Sequence, residues 1–135
     1  MESESTPDVR LVDLTPAECW DLAASRPVGR LAWNGPHGPT VIPVNFSVDG
    51  QSVVLRTSAY TAAAQEAEDG PVAFQVDSFD SEAHTGWSVL MRGRAHRETV
   101  DSDHADPQPW VPGPRTLRLR IEVDEITGRA LKARS

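Results

Sequence analysis

The segment Thr40–Thr57, TVIPVNFSVDGQSVVLRT, constrains this chain more than any other, because a tight turn set inside an alternating pattern leaves the backbone little choice. Asp49-Gly50 supplies the two positive-φ positions of a two-residue hairpin turn, with alternating apolar residues on either side. Pairing Val48 with Gln51 then sets Phe46 against Val53, Val44 against Leu55 and Ile42 against Thr57 on one apolar face. Pro43, Asn45, Val54 and Arg56 fall on the other. A strand face with an arginine, an asparagine and a donor-free proline is foreign to a core, so it is either solvated or the wall of a polar site.

The flanking sequence extends the same architecture. Thr15-Pro16-Ala17-Glu18 spells a helix start, with Thr15 as N-cap, Pro16 at the first helical position and Glu18 closing a capping box. This helix ends before Pro27. Val28–Trp33 reads as a strand, Asn34–Pro39 as a loop, and Ala59–Glu68, rich in Ala, Gln and Glu, as a second short helix stopped by Gly70-Pro71. Val72–Val76 and Thr85–Arg97 alternate as strands, joined by an acidic loop from Asp77 to His84. Val100–Pro114, with four prolines and three aspartates, reads as a loop, and Leu117–Val123 as a last strand with one buried and one wet face. About six short strands with turn signals and two short helices predict a small antiparallel barrel. The organisation expected is a flexible arm over 1–12, one domain over 13–130 and a tail over 131–135.

Composition excludes several functions. A chain of 135 residues is one domain's worth, able to bury roughly two-thirds of the surface its unfolded form exposes. The net charge of −7 argues against nucleic acid, which demands clustered Lys and Arg. The single lysine, Lys132, disfavours Schiff-base chemistry, and the lone Cys19 permits neither an internal disulfide nor a Cys-built zinc cage. The polar, acidic start lacks a secretory pattern, and no apolar run approaches the ~20 residues of a membrane-spanning helix, so a cytoplasmic protein with no membrane partner is expected.

Signatures of catalysis are sparse. Ser88 lies within a predicted strand in Gly86-Trp87-Ser88-Val89-Leu90, which lacks the second glycine of a nucleophile elbow. His37, His84, His96 and His104 lack metal-ligand spacing, and the Asp101–Asp106 cluster lacks the glycine and the closing glutamate of a calcium loop. No metal site and no catalytic residue are assigned. What remains is the polar wall around Asn45 and Arg56, with Trp33, Trp87 and Trp110 either as core and interface residues or as stacking partners of a planar ligand.

Taken in order, Val28-Gly29-Arg30-Leu31-Ala32, Pro43-Val44-Asn45-Phe46, Asp49-Gly50, Arg56-Thr57, Val72–Asp77, Gly86-Trp87-Ser88-Val89, Gly93-Arg94-Ala95, Pro109-Trp110 and Ile126-Thr127-Gly128-Arg129 resemble the short pyridoxamine 5′-phosphate oxidase-like proteins. The resemblance runs from about Thr15 to Arg129. It implies a mainly β, six-stranded antiparallel split barrel with two or three short helices, binding FMN as a homodimer and acting as an oxidoreductase or flavin reductase on a small molecule. Pro43, Val44, Asn45 and Phe46 would then lie along the flavin ring, and Arg56, Thr57, Ser58 and Thr61 would reach the ribityl chain and phosphate. Trp87 and Ser88 would approach the ring from another strand, and Trp110 and Arg115 would come from the partner subunit. One departure matters: Ala62 stands in the Thr61-Ala62-Ala63 run where relatives carry a phosphate-binding lysine. The alternative is therefore a split-barrel binding protein with weakened or lost FMN binding, holding another planar cofactor such as a deazaflavin or haem, or a dimer with no cofactor.

Overall fold

The computed structural model describes residues 8–58, 61–98 and 116–134. In chain order these form β1 (Val9–Asp13), α1 (Pro16–Ala24), β2 (Val28–Gly35), β3 (Gly38–Asp49), β4 (Ser52–Ser58), α2 (Ala62–Glu66), β5 (Pro71–Asp80), β6 (Thr85–Glu98) and β7 (Thr116–Ala133). The sheet runs β1-β7-β4-β3-β2-β5-β6, and a further β6–β7 pairing closes the last six strands into an antiparallel ring. Closure removes the open edges that a sheet of this size would otherwise expose.

Strand alternation fills the ring. Leu31, Phe74, Val76, Val89, Met91, Val53, Leu55, Leu119 and Ile121 point inward and are buried, with the Phe46 ring meeting Phe74 edge-on at a centroid distance of 4.9 Å. The Thr15 capping box forms as expected: the Thr15 hydroxyl accepts from the Glu18 N–H at 3.2 Å, and Glu18 Oε1 accepts from the Thr15 N–H at 2.8 Å. Cys19 and Ala23 bury one face of α1 against β7 and β6. Burial pushes the Cys19 thiol up from its ordinary value, which keeps it out of thiolate chemistry.

The hairpin register differs from the expected one by two residues. Asp49 pairs with Ser52, Val48 with Val53 and Phe46 with Leu55, so Gly50 and Gln51 make the turn. Of these two turn residues, Gly50 has a positive φ, at 62°, and Gln51 does not. A type II′ geometry, which asks for glycine only at its first central position, spares Asp49 a left-handed backbone costing about 1–2 kcal/mol for a residue with a Cβ. A two-residue slip preserves side-chain parity, so the two faces of the hairpin keep their membership.

Four boundaries also move. The Asn34–Pro39 loop shrinks to Pro36 and His37 between paired Gly35 and Gly38, β5 continues to Asp80, and the second helix covers only Ala62–Glu66. The fourth concerns the termini. Within the stretch read as a flexible arm, Val9–Asp13 forms a strand on Arg129–Ala133, which also draws Lys132 of the expected tail into the sheet. A five-residue segment carries little signal of its own, and here the open edge of β7 supplies the partner. Where β6 crosses β7, the register shifts between Arg92 and Gly93, and this irregularity lets the two long strands bend to close the ring.

Candidate functional site

The site begins where two strands part. β3 gives Gly38–Asn45 to β2 and only Phe46–Asp49 to β4, while β4 continues along β7 through Arg56, Thr57 and Ser58. Among the described strands, none covers the β4-facing edge of β3 from Gly38 to Asn45 or the facing edge of β4 beyond Leu55. This is the split in the barrel. Backbone N–H and C=O groups along such an edge need partners from outside the sheet, which suits a flat molecule with a polar rim.

Helix α2 packs against β2 and β4 at this opening. The Trp33 indole N–H donates to Glu66 Oε1 at 3.0 Å, and Arg97 both donates to the Ala64 carbonyl at 3.2 Å and pairs with Glu68 at 2.8 Å. Ala63, Ala64 and Ala67 are buried beneath it. Thr61 caps the helix, its hydroxyl accepting from the Ala64 N–H at 3.2 Å. Ala62 is exposed at the first helical position, with room for a longer side chain.

The outer face carries the polar wall. Pro43 and Asn45 are exposed there, and the Asn45 amide donates to the Pro27 carbonyl at 3.3 Å. Arg30, the Cα partner of both Pro43 and Gln75, donates to Gln75 Oε1 at 3.0 Å and Asp77 Oδ2 at 3.2 Å. Gln75 Nε2 in turn donates to Asp77 Oδ2 at 2.7 Å and Ser88 Oγ at 3.3 Å. One connected network thus links β2, β5 and β6 beside the split.

A cationic patch adjoins it. Half-buried Arg56 stands directly across from Arg118 in the β4–β7 register. Two like charges in facing positions repel, so the pair is stabilised by anions around it. Glu98 supplies one, 3.8 Å from Arg118 and 2.7 Å from Arg120, and Asp49 holds Arg120 from the other side at 3.0 Å. Hydrogen bonding to Glu98 holds the Arg120 guanidinium above its already high ordinary value.

Strand parity sorts the residues proposed from the sequence. Pro43, Asn45, Arg56 and Ser88 share the outer face, whereas Val44 is half-buried and Phe46 buried on the core side. Trp87 turns to the opposite side of β6 from Ser88 and packs against the core, and Trp33 is core. Thr57 and Ser58 lie on β4 opposite Leu117 and Thr116, and Thr61 is the α2 cap. Trp110 and Arg115 lie outside the described residues. Sequence reasoning missed Arg30, Gln75, Asp77 and Arg118 as members of the site. Each sits on the polar face of its strand, but only the β2–β5 and β4–β7 pairings bring them together across dozens of intervening residues.

The geometry defines a class: an antiparallel split barrel with a polar, arginine-bearing face beside the split. The pyridoxamine 5′-phosphate oxidase family model matches residues 15–130, and the chain belongs to this oxidase-like family, among its small single-domain members. An uncharacterized protein of Mycobacterium tuberculosis is 31% identical over 134 residues, covering 93% of this chain and 88% of its own length. The structure of an FAD-binding protein from Mycobacterium smegmatis superposes with a TM-score of 0.73 at 28% identity, covering 91% of this chain and all of that one. A Corynebacterium glutamicum protein named after pyridoxamine 5′-phosphate oxidase gives a TM-score of 0.71 at 25% identity, covering 98% of this chain and all of that one.

Proposed function

We propose that this protein binds a flavin in the cleft beside the β3–β4 split and serves as a flavin-dependent oxidoreductase of a small molecule, with FMN as the cofactor and a homodimer as the working unit. The observation that carries this reading is the uncovered edge of β3 at Pro43–Asn45, which begins where Phe46 leaves Leu55, one residue before Arg56 and its β7 partner Arg118. A flavin mononucleotide presents complementary chemistry: a flat ring with a hydrogen-bonding rim at one end and a phosphate at the other. The Val44 and Asn45 backbone would meet the rim. Arg56, whose planar fork can give a phosphate two charge-assisted hydrogen bonds, would hold the anion. The bound flavin supplies the hydride chemistry, and the chain's own residues orient it and exclude water. The FAD-binding character of the M. smegmatis protein supports a flavin without choosing between FMN and FAD, since both carry the same ring.

Ala62 favours a second reading, in which the phosphate end is held weakly and another planar cofactor can compete. Losing one charge-assisted contact costs about 1.5–3 kcal/mol, or roughly ten- to a hundredfold in affinity. Titrating the purified full chain into FMN, FAD and a deazaflavin, followed by ligand fluorescence, tests both readings. Saturable quenching of FMN that weakens in Arg56→Gln and tightens in Ala62→Lys is the expected result. Quenching by neither flavin at any concentration up to ~100 μM, a Kd corresponding to only about −5.5 kcal/mol, would defeat the flavin reading. A sedimentation experiment that returns a single-chain mass with flavin bound would defeat the dimer.

A further inference from the structure

We infer that the outer face of the barrel carries another binding site, a groove for an apolar molecule that carries a carboxylate. Strand register builds it. Leu11, Leu131, Gly86 and Phe79 stand in one row across β1, β7, β6 and β5, and Asp13, Arg129, Ser88 and Asp77 form the next row on the same face. A groove of about 800 Å³ runs over both rows, within the ~300–1,000 Å³ usual for small-molecule sites.

The first row is apolar and open to solvent. Leu11 is 57% exposed and Phe79 62% exposed, on either side of Leu131. A single exposed apolar residue means little, but these make a continuous strip with its long axis across the strands. Gly86 forms the floor beneath Phe79. A Cβ there would stand 2.3 Å from Phe79 Cδ1, so any other residue would displace the ring that walls the groove.

The second row supplies the polar flank, and its hydroxyl donor is oriented in advance. Gln75 is fixed by charge on both sides: its carbonyl faces the Arg30 guanidinium and its NH₂ faces the Asp77 carboxylate. A flipped amide would set oxygen against carboxylate and nitrogen against guanidinium. Ser88 Oγ therefore accepts from Gln75 Nε2, which leaves the hydroxyl proton to point elsewhere as a donor. Arg129, the Cα partner of Ser88, is exposed on the same face and makes no ion pair among the described residues. One hydroxyl donor and one cation thus stand as neighbours in register, alongside the middle of the apolar strip. Asp13, across from Arg129 on β1, opposes a doubly charged head group, so a carboxylate fits better than a phosphate monoester. This site requires no flavin, although it meets the polar wall at Ser88.

The test uses the ¹⁵N-labelled full chain and three probes of equal length: decanoate, decan-1-ol and decyltrimethylammonium. Decanoate should move the Gly86, Ser88 and Leu131 amide resonances saturably and bind more tightly than either control. Arg129→Gln should weaken decanoate about tenfold, the scale of one charge-assisted contact, while leaving decan-1-ol affinity unchanged. Ser88→Ala should produce a smaller loss for decanoate alone. Non-saturable shifts, equal binding of the three head groups, or full decanoate affinity in Arg129→Gln would each overturn the inference. So would an assembled species that Leu11→Asp converts to single chains while decanoate leaves the groove resonances unmoved, because the occupant would then be a second copy of the chain.

Discussion

Gly93 sits at the irregularity where β6 crosses β7, and the alanine substitution there tests how the ring closes. A Cβ built on Gly93 would lie 1.9 Å from the Glu122 carbonyl oxygen and 2.8 Å from its carbon. Real Cβ contacts do not fall below 3.0 Å, so the oxygen would have to retreat by about 1.1 Å. The obstacle is backbone, and it cannot rotate away as a side-chain tip would. Overpacking of this kind costs about 1–3 kcal/mol. Moving β7 outward also lengthens the ladder bonds on either side, at about 1 kcal/mol for the pair when they are weakened but not lost. The expected loss is therefore about 2–4 kcal/mol, which for a domain of this size lowers Tm by roughly 7–14 °C. Urea and thermal unfolding followed by tryptophan fluorescence, at one protein concentration, would measure it. Gly50→Ala is the control: Gly50 has a φ of 62° but nothing within 4 Å, so its cost is the backbone term alone, about 1 kcal/mol. If Gly93→Ala proves no less stable than Gly50→Ala, the tight crossing of β6 on β7 is not what shapes the barrel.

Three further outcomes follow from the local chemistry. Thr15→Ala removes the cap of α1 and should cost about 1 kcal/mol in urea unfolding, and Thr15→Ser should restore most of it. The backbone and side chain of Thr15 hold the Glu18 carboxyl below its ordinary value of 4.5. A folded-state value lowered in this way stabilises above the unfolded value and stops doing so as pH falls through the folded one. The Tm gap between wild type and Glu18→Gln should therefore be full at neutral pH, shrink below about pH 4.5 and then vanish; a gap unchanged at pH 3 would contradict it. Glu98→Gln weakens the hold on Arg120 and, discounted for partial exposure, should cost about 1 kcal/mol at low salt and less at high salt. Equal losses at both salt concentrations would contradict an electrostatic role.

Local pattern determined a good deal of this protein. The capping box at Thr15, the two faces of the hairpin and the alternation of Leu119 and Ile121 with Arg118 and Arg120 all follow from neighbours a few residues apart. Such short-range rules survive folding because they describe what each segment does whichever partner it finds. Even the misplaced turn left Phe46 inside and Asn45 outside, since a slip of two residues cannot exchange the faces. Pairing, by contrast, was decided in three dimensions. Val9–Asp13 is too short to announce itself as a paired strand, and it becomes one only because β7 offers an edge. The Arg30–Gln75–Asp77–Ser88 network and the Arg56–Arg118 pairing join positions tens of residues apart, and alternation names the face of a strand but never its neighbour. The parting of β3 from β4 likewise belongs to the closed ring: β4 goes on along β7 through Ser58, while beyond Phe46 β3 keeps only β2 as its partner among the described strands.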